Sequence, residues 1–252
     1  LSLADVDGDS DLDLFAGNSN QVNRLYLSDG SGGFLSGVNI SSEGHDTASM
    51  SLGDVDRDGD IDLLVGNVGQ SNRLYFGDGL GGFSSGTAIG PNDDKTRSTG
   101  LADVDGDGDL DLLVVSSNSS QPNRLYFGDG SGGFSSGTAI GPSADKTRSM
   151  GLADVDGDGD LDLLVGNSGQ PNRLYLSNGS GVFSSFTNVT SDAHKTLSLG
   201  IGDVDGDGDL DVVAGNNSGQ VNRVYFNGGG PVSETTQASG LLSVSNVNPG
   251  DE

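Results

Sequence analysis

Hydrophobic residues in this chain occur in short runs separated by polar and glycine-rich segments. Some runs alternate large and small residues, as in Met-Gly-Leu-Ala at 150–153, and others are continuously apolar, as in Leu-Leu-Val at 63–65 and 163–165. A period of two predicts a half-buried strand, and a continuous short apolar run predicts a strand buried on both faces. No segment keeps a helical period. The pattern therefore predicts an all-β chain.

These runs recur in a fixed order about every 50 residues. A nine-residue Asp-rich loop begins at Asp5, Asp54, Asp103, Asp154 and Asp203, with spacings of 49, 49, 51 and 49 residues. Each loop is followed by an apolar run, an Asn-Arg-Leu-Tyr segment (Val replaces Leu in the fifth copy) and a glycine-rich turn. A fourth strand is then expected to open at Phe34, Phe83, Phe134 or Phe183. Four short strands per repeat are typical of propeller blades.

We therefore predict a β-propeller of about five four-stranded blades. The repeats divide residues 1–240 into units 1–49, 50–98, 99–149, 150–198 and 199–240 of a single repeat domain. Part of a larger propeller and a β-solenoid are the alternatives. Residues 241–252 are expected to be a closing strand or the start of a following domain. Because the sequence begins at Leu1 rather than Met, we also expect a processed chain or an excised segment.

The charge of the chain is strongly acidic. The formal net charge is −26, with 37 acidic residues against 11 basic ones, and most of the acids lie in the five loops. This balance excludes a nucleic-acid partner, because little basic charge is present to neutralise phosphates. No apolar run is long enough for a membrane span. The chain has no Cys, so disulfides and thiolate metal sites are excluded. Clustered carboxylates of this kind predict a bound cation.

The loops present carboxylates at alternating positions, as in Asp-Val-Asp-Gly-Asp-Gly-Asp-Leu-Asp at 103–111. Hard oxygen ligands in flexible geometry favour Ca²⁺ over Mg²⁺, which requires a stricter octahedron. An EF-hand is excluded because it needs a bidentate acid at loop position twelve. That position holds Ala16, Val65, Val114, Val165 and Ala214.

The loops and the Asn-Arg-Leu-Tyr and Asp-Gly-x-Gly-Gly-Phe segments after them resemble the FG-GAP/VCBS repeat family. That family includes the calcium-binding blades of integrin α-subunits and many secreted bacterial proteins. The resemblance implies one Ca²⁺ per repeat, five in all, bound by the side chains at positions one, three, five and nine and by the backbone carbonyl of position seven.

Carried onto this chain, the side-chain ligands are Asp5, Asp7, Asp9 and Asp13; Asp54, Asp56, Asp58 and Asp62; Asp103, Asp105, Asp107 and Asp111; Asp154, Asp156, Asp158 and Asp162; and Asp203, Asp205, Asp207 and Asp211. The carbonyl ligands are Asp11, Asp60, Asp109, Asp160 and Asp209. Two loops depart from the pattern. Ser10 replaces the glycine of position six, which weakens the expectation for the first site because a Cβ resists a positive φ. Arg57 occupies position four of the second loop and is expected to point outward.

Residues outside the loops give little support for catalysis, so we predict that the chain is not an enzyme. His45 and His194 are expected to be ordinary loop residues. Segments 94–98 and 145–149 are rich in Lys and Arg and are expected to be charge-balanced turns or, alternatively, a binding rim. The Arg and Tyr of the Asn-Arg motifs recur once per unit, which favours a role in blade packing.

The function predicted from these features is a non-catalytic, extracellular or cell-surface module, stabilised by calcium, for adhesion or for binding a protein or glycan ligand. The absence of Trp disfavours a glycan. The alternative is a structural subunit of a surface layer, sheath or extracellular fibre, in which the partner is a copy of the same chain. An enzyme-associated domain is the third possibility. In each case the calcium is expected to be structural.

Overall fold

The computed structural model describes residues 1–91, 95–141, 145–217 and 219–228. Within these ranges the chain forms twenty strands and no helix. The strands are β1 (Ser2–Ala4), β2 (Asp13–Ala16), β3 (Ser19–Gln21), β4 (Arg24–Tyr26), β5 (Val38–Asn39), β6 (His45–Gly53), β7 (Asp62–Asn67), β8 (Asn72–Tyr75), β9 (Thr87–Ile89), β10 (Thr96–Ala102), β11 (Asp111–Ser116), β12 (Asn123–Tyr126), β13 (Thr138–Ile140), β14 (Thr147–Ala153), β15 (Asp162–Asn167), β16 (Arg173–Tyr175), β17 (Thr187–Asn188), β18 (Thr196–Gly202), β19 (Asp211–Asn216) and β20 (Arg223–Tyr225).

The strands form five antiparallel sheets that follow one another along the chain. Their orders are β1-β2-β4-β5, β3-β6-β7-β8-β9, β10-β11-β12-β13, β14-β15-β16-β17 and, within the described residues, β18-β19-β20. We call these sheets blades 1 to 5. The extra strand β3 reaches from blade 1 to pair with the start of β6 in blade 2. The all-β prediction, with consecutive four-stranded blades, is confirmed.

Two predicted strand boundaries differ from the structure. The first strands of blades 3, 4 and 5 begin at Thr96, Thr147 and Thr196, so β10 crosses the boundary drawn between residues 98 and 99. The prediction that a fourth strand opens at Phe34, Phe83, Phe134 or Phe183 was wrong. The first three form isolated bridges with Ser28, Gly77 and Gly128, and in all four blades the fourth strand begins a few residues after the Phe. In blade 3, hydrogen bonds from Asp129 to Gly133 and from Ser135 to Phe127 close the turn before this strand begins.

The hydrophobic core lies between successive blades. The run 63–65 shows the arrangement: Leu63 and Val65 pack against blade 1 together with Phe15 and Leu25, whereas Leu64 packs against blade 3 together with Leu112. All of these side chains are buried. A strand whose successive side chains face two different blades needs apolar residues at every position, which explains the continuous apolar runs of the second strands.

The first strands of blades 2 to 5 pack against one another, where space is limited. The hydroxyls of Ser49 and Ser51 in β6 hydrogen-bond to the Thr99 hydroxyl in β10, at 3.0 and 2.7 Å. A Cβ on Gly100 would collide with the methyl group of Met150. The alternation of large and small residues therefore fits a crowded arrangement of neighbouring first strands.

Blades 1 and 5, the first and last along the chain, each expose an apolar side chain that is less exposed at the same loop position of blades 2 to 4. Val204, at loop position two of blade 5, is 48% exposed, whereas Val6, Val55, Val104 and Val155 are between 2% and 6% exposed. On blade 1, Leu12 is 58% exposed. Residues 241–252 and the last part of the fifth unit lie outside the described residues. Across the described ranges, no helix is long and apolar enough to cross a membrane.

Candidate functional site: five Asp-rich loops and a groove between blades

Each Asp-rich loop connects the first and second strands of its blade. We number the loops 1 to 5 (residues 5–13, 54–62, 103–111, 154–162 and 203–211) and their positions one to nine. Position nine is the first residue of the second strand and pairs with the last residue of the first strand, as Asp111 does with Ala102. The hairpin therefore brings the two ends of the loop together, as a short metal-binding loop requires.

The carboxylate at position nine is buried and bridges two segments of backbone. In loop 3, Asp111 is 1% exposed. Its Oδ2 accepts the amide of Val104 at 3.0 Å, and its Oδ1 accepts the amide of Gly128 at 2.9 Å. The same pair of bonds is made by Asp13, Asp62, Asp162 and Asp211. Position nine thus ties the loop to the chain just after the third strand.

Backbone amides of the loop donate hydrogen bonds to the carboxylate at position one. In loop 3, Asp103 accepts the amides of Gly106 at 2.7 Å and Gly108 at 2.9 Å. The exposed carboxylate at position five, Asp107, accepts the amide of Asp109 at 2.8 Å. Such side-chain-to-backbone bonds are the usual Asp turns of polar loops. They point the carboxylates of positions one and three toward the interior of the loop.

The carboxylates converge in every loop. Ligand atoms of positions one, three and nine lie within 4.8 Å of one another in loops 1, 3, 4 and 5. In loop 2 the converging residues are instead Asp54, Asp56 and Asp58, at positions one, three and five. The Oδ1 atom of Asp54 is buried and has no hydrogen-bond partner among the described residues. Converging like charges repel one another, and a buried unpaired carboxylate oxygen is unfavourable.

This donor set fits Ca²⁺, because carboxylate oxygens on a flexible loop are its preferred ligands. The residues that converge are predicted side-chain ligands: those at positions one, three and nine in loops 1, 3, 4 and 5, and those at positions one, three and five in loop 2. Position five in the other loops, Asp62 at position nine of loop 2 and the carbonyl of position seven remain predictions. The side chains at position seven lie elsewhere: Asp60 and Asp109 pack against Gly79 and Gly130 of the following turn.

Metal binding to these loops is expected to depend on pH. Burial raises the pKa of Asp62, Asp111 and Asp162 above the ordinary value of 3.8. A carboxyl group whose pKa is higher in the folded than in the unfolded protein stabilises the fold at pH values below 3.8. This contribution is lost as the pH rises through the folded-state pKa. Acid therefore stabilises the metal-free fold through these groups, whereas protons compete with calcium for the same oxygens.

We accordingly expect the difference in melting temperature between the calcium-loaded and the metal-free protein to shrink as the pH falls from about 7 to about 4.5. Thermal unfolding of both forms at several pH values measures this difference. The metal-free form should be stripped beforehand, because chelators bind calcium weakly in acid. A difference that is constant across this range would contradict the assignment of the buried carboxylates to the metal.

Two loop positions require a left-handed backbone. Position six has a positive φ in every loop, including Ser10 at 74°, and position four does so in loops 1, 3, 4 and 5, as in Gly106 at 77°. Arg57, at position four of loop 2, also adopts a positive φ of 61°. A side chain in this region is strained, so loops 1 and 2 each carry one strained residue.

Arg57 was expected to point outward, but it makes an ion pair with Asp109 in loop 3 of the next blade. The guanidinium remains about half exposed, with 54% of the side chain accessible. Loops 2 and 3 are therefore linked directly. Sequence reasoning missed this pair because the two residues are far apart in sequence and are brought together only when blades 2 and 3 pack.

Three Arg side chains of the Asn-Arg motifs pair with acidic residues in the segments that lead from the preceding blade into their own blade. Arg73 pairs with Glu43 at 3.1 Å, Arg223 pairs with Asp192 at 2.7 Å, and Arg173 pairs with Asp145. Asp145 is buried, at 4% exposure, so it belongs to this internal pair and not to the predicted binding rim. Asp94, its counterpart in the preceding unit, lies outside the described residues.

The motif tyrosines of blades 2 to 5 are buried between blades, as their regular recurrence predicted. His45 lies 3.8 Å from Glu43, in a small pocket with Arg73. His194 contributes its backbone carbonyl to Gly169 at 2.8 Å. Neither histidine belongs to a converging group of metal-binding side chains among the described residues. The tyrosines therefore act in packing. His194 lies in a loop as predicted, whereas His45 is the first residue of β6, so the prediction of a loop position was wrong for His45.

A groove of about 520 Å³ lies between blades 2 and 3. One wall is the outer strand of blade 2 with Thr87, Ala88 and Ile89. The floor contains Arg124 and Tyr126, and the second wall is the backbone and side chains of residues 132–137. Arg124 donates to the carbonyl of Gly137 at 3.1 Å. The groove combines a guanidinium, hydroxyl groups and backbone polar groups with apolar surface.

Blade 4 differs at the same place. Phe186 occupies the position of Gly137, and its ring lies 5.5 Å from the Tyr175 ring and 4.1 Å from the Arg173 guanidinium carbon. The aromatic side chain therefore covers the Arg and Tyr that blade 3 leaves at the floor of its groove. Blades 3 and 4 thus provide an open and a filled version of one arrangement.

Comparison with known proteins supports the family predicted from the repeats. A sequence model described as an FG-GAP-like repeat matches residues 5–65, 54–114, 103–165 and 154–214. These matches cover most of the chain, so the chain belongs to the FG-GAP-like repeat family. The resemblance noted from the loops is thereby confirmed. No curated protein matches the chain in sequence.

Solved structures with a similar fold include two lectins. A lectin from Agrocybe aegerita, described as recognising non-reducing terminal N-acetylglucosamine, is 22% identical with a TM-score of 0.64 over 92% of this chain and 64% of that one. The BP39L lectin from Burkholderia pseudomallei is 14% identical with a TM-score of 0.64 over 88% of this chain and 65% of its own.

A third structure, BBS1N in complex with ARL6DN, is 16% identical with a TM-score of 0.52 over 82% of this chain and 58% of that one. The present chain thus spans less than two thirds of each of these three proteins. Identities this low establish the fold alone, and they support the predicted propeller architecture.

Proposed function

We propose that this chain is a calcium-stabilised repeat module that binds a glycan in the groove between blades 2 and 3. The observation that carries the proposal is the groove itself. Its volume of about 520 Å³ lies within the range of small-molecule sites. Its lining pairs polar groups that can hydrogen-bond hydroxyls with apolar surface that can contact the face of a sugar ring.

The polar groups of the groove are suited to a neutral, hydroxyl-rich ligand. Arg124 offers guanidinium donors, Ser136 is exposed and offers a hydroxyl, and the backbone of the wall offers amides and carbonyls. The aromatic residues Tyr126 and Phe134 provide part of the apolar lining. The absence of Trp, which disfavoured a glycan at first, is therefore offset by Tyr and Phe at this groove.

The structural neighbours add independent support of a weaker kind. Two of them are lectins by name, and the fold can therefore present glycan sites. Because the chain is far from identical to either, their ligands serve here only as first probes. A glycan ending in N-acetylglucosamine is the natural first choice, since the Agrocybe aegerita lectin is described as recognising it.

The module is proposed to act outside the cell or at its surface and to have no catalytic role. Calcium sites of extracellular modules have dissociation constants of about 10⁻⁴–10⁻³ M, which are filled at extracellular calcium levels. The bound ions would hold the loops, while the ligand lies in the groove. Adhesion would then follow if the glycan belongs to another cell or to a matrix.

The test is a pair of matched substitutions measured on a glycan array and by titration. Ser136→Trp places a large side chain in the open groove of blade 3 and is expected to weaken binding more than about tenfold by steric exclusion. Ser185→Trp makes the same change at the equivalent exposed position of blade 4, where Phe186 already covers the floor, and is expected to leave binding unchanged.

Equal melting temperatures of the two variants would show that folding is not the cause of any loss. Binding that survives Ser136→Trp unchanged would place the ligand elsewhere. An array on which the calcium-loaded protein binds no glycan would overturn the proposed ligand class.

A further inference from the structure

One wall of the groove is attached to an Asp-rich loop of the neighbouring blade. The amide of Gly132 in blade 3 donates a hydrogen bond to the carbonyl of Val55 at position two of loop 2, at 3.2 Å. Val55 is in turn held by its own amide, which donates to Asp62 at position nine, at 2.8 Å. The groove wall and the carboxylates of loop 2 are therefore separated by a single residue.

Gly132 lies in close contact with blade 2. Gly132 has a φ of 78°, and a Cβ at this position would collide with the Phe76 ring and lie 3.4 Å from the Cβ of Asp56. The turn that contains Gly132 is itself rigid, because the Asp129 carboxylate accepts the amides of both Ser131 and Gly133 at 2.9 Å. A shift of loop 2 would thus be transmitted to the whole turn.

The same link recurs between successive blades. Gly81 donates to Val6 at 3.0 Å, Gly181 donates to Val104 at 3.0 Å, and in blade 5 the Asn227 side chain donates to Val155 at 2.8 Å. Loop 5 is the exception within the described residues: Val204 is exposed and its carbonyl receives no such bond. Each of loops 1 to 4 therefore holds the turn of the next blade.

We propose that calcium in loop 2 sets the ligand affinity of the groove between blades 2 and 3 without contacting the ligand. The inference rests on the proposed function for the ligand, whereas the link between Val55 and Gly132 does not depend on it. When the carboxylates of loop 2 are held together, the Val55 carbonyl is presented to Gly132 and the wall at residues 132–137 is in place. When they repel one another, the acceptor moves and the wall loosens.

The expected effect is that of one lost hydrogen bond on the groove wall. Such a bond corresponds to a change of about three- to tenfold in an equilibrium constant. We expect the ligand affinity to fall by about this factor, and the amide of Gly132 to exchange its hydrogen faster by a similar factor.

The experiment compares Asp56→Asn in loop 2 with Asp205→Asn in loop 5, in the full chain with calcium. Each substitution removes the position-three carboxylate of one loop and keeps the shape of the side chain. Loop 3 is not used as the control, because its Asp109 also packs against the turn at Gly130. Hydrogen exchange of the peptide containing residues 128–133 is measured first and needs no ligand.

Faster exchange in Asp56→Asn, with Asp205→Asn like the unchanged protein, is the expected result. Equal exchange in both variants would overturn the proposal, whether or not a glycan is known. Titration with a glycan that the unchanged protein binds then gives the affinity, which is expected to fall in Asp56→Asn alone. If no glycan binds, the proposed function fails while the exchange data still decide the link between loop 2 and the groove wall.

Discussion

Removal of calcium is expected to lower the melting temperature of this protein by at least about 10 °C. At about 5 mM calcium, a site with a dissociation constant of about 10⁻⁴–10⁻³ M stabilises the fold by roughly 1 to 2 kcal/mol. Five such sites together contribute roughly 5 to 10 kcal/mol, and a domain of this size shifts by about 2–4 °C for each kcal/mol. Five calcium ions would also bring the formal net charge from −26 to −16, which reduces self-repulsion.

Calorimetry or circular dichroism in calcium, in EGTA, and in EGTA followed by excess calcium measures the effect and its reversal. Magnesium in place of calcium is the control for divalent charge and is expected to restore only a small part of the stability, because Mg²⁺ fits the loops poorly. A melting curve that does not respond to EGTA at low ionic strength would contradict calcium binding by the loops.

The repeat order, the all-β class and the second strands could be predicted because they depend on residue patterns within one unit. The run 63–65 is apolar at each position since its side chains alternately face blades 1 and 3. That requirement is visible in the sequence of one blade without knowledge of its neighbours. The loop carboxylates were equally visible, because their spacing is local.

The particular residue pairs that join neighbouring blades could not be predicted. The pair between Arg57 and Asp109 joins two loops, and the strand β3 pairs with the following blade. The bond from Gly132 to Val55 is of the same kind. Sequence spacing gives the order of the blades but not the distances between them. A glycine in a turn accordingly suggested only a bend, although Gly132 also makes room for the neighbouring loop.

The different carboxylate set of loop 2 has a local cause that sequence reasoning underestimated. In the other loops the position-four glycine donates its amide to the position-one carboxylate, as Gly106 does to Asp103. Arg57 makes no such bond within the described residues, which leaves Asp54 Oδ1 without a partner. Loop 2 therefore departs from the others at Arg57, for which only an outward orientation was expected.

The largest effect of a single substitution is expected for the buried carboxylate at position nine. Asp111→Ala removes a predicted ligand and also leaves the amides of Val104 and Gly128 without their acceptor in a buried position. Each unsatisfied buried donor costs about 1–3 kcal/mol. The matched control is Asp107→Ala in the same loop, which removes a predicted ligand but frees only the exposed amide of Asp109, which water can satisfy.

Both variants lose one predicted carboxylate ligand from loop 3, and only Asp111→Ala leaves the two buried amides without an acceptor. We expect Asp111→Ala to be less stable than Asp107→Ala by about 2–4 kcal/mol in denaturant unfolding at saturating calcium, or by about 4–16 °C in melting temperature. The raised pKa of Asp111, caused by burial, indicates that the ionised group is itself disfavoured there, which keeps the expected difference below the sum for two donors. Equal stability of the two variants would mean that position nine acts only as one more carboxylate around the metal. A difference of the expected size would mean that it also joins the loop to the blade through the amides of Val104 and Gly128.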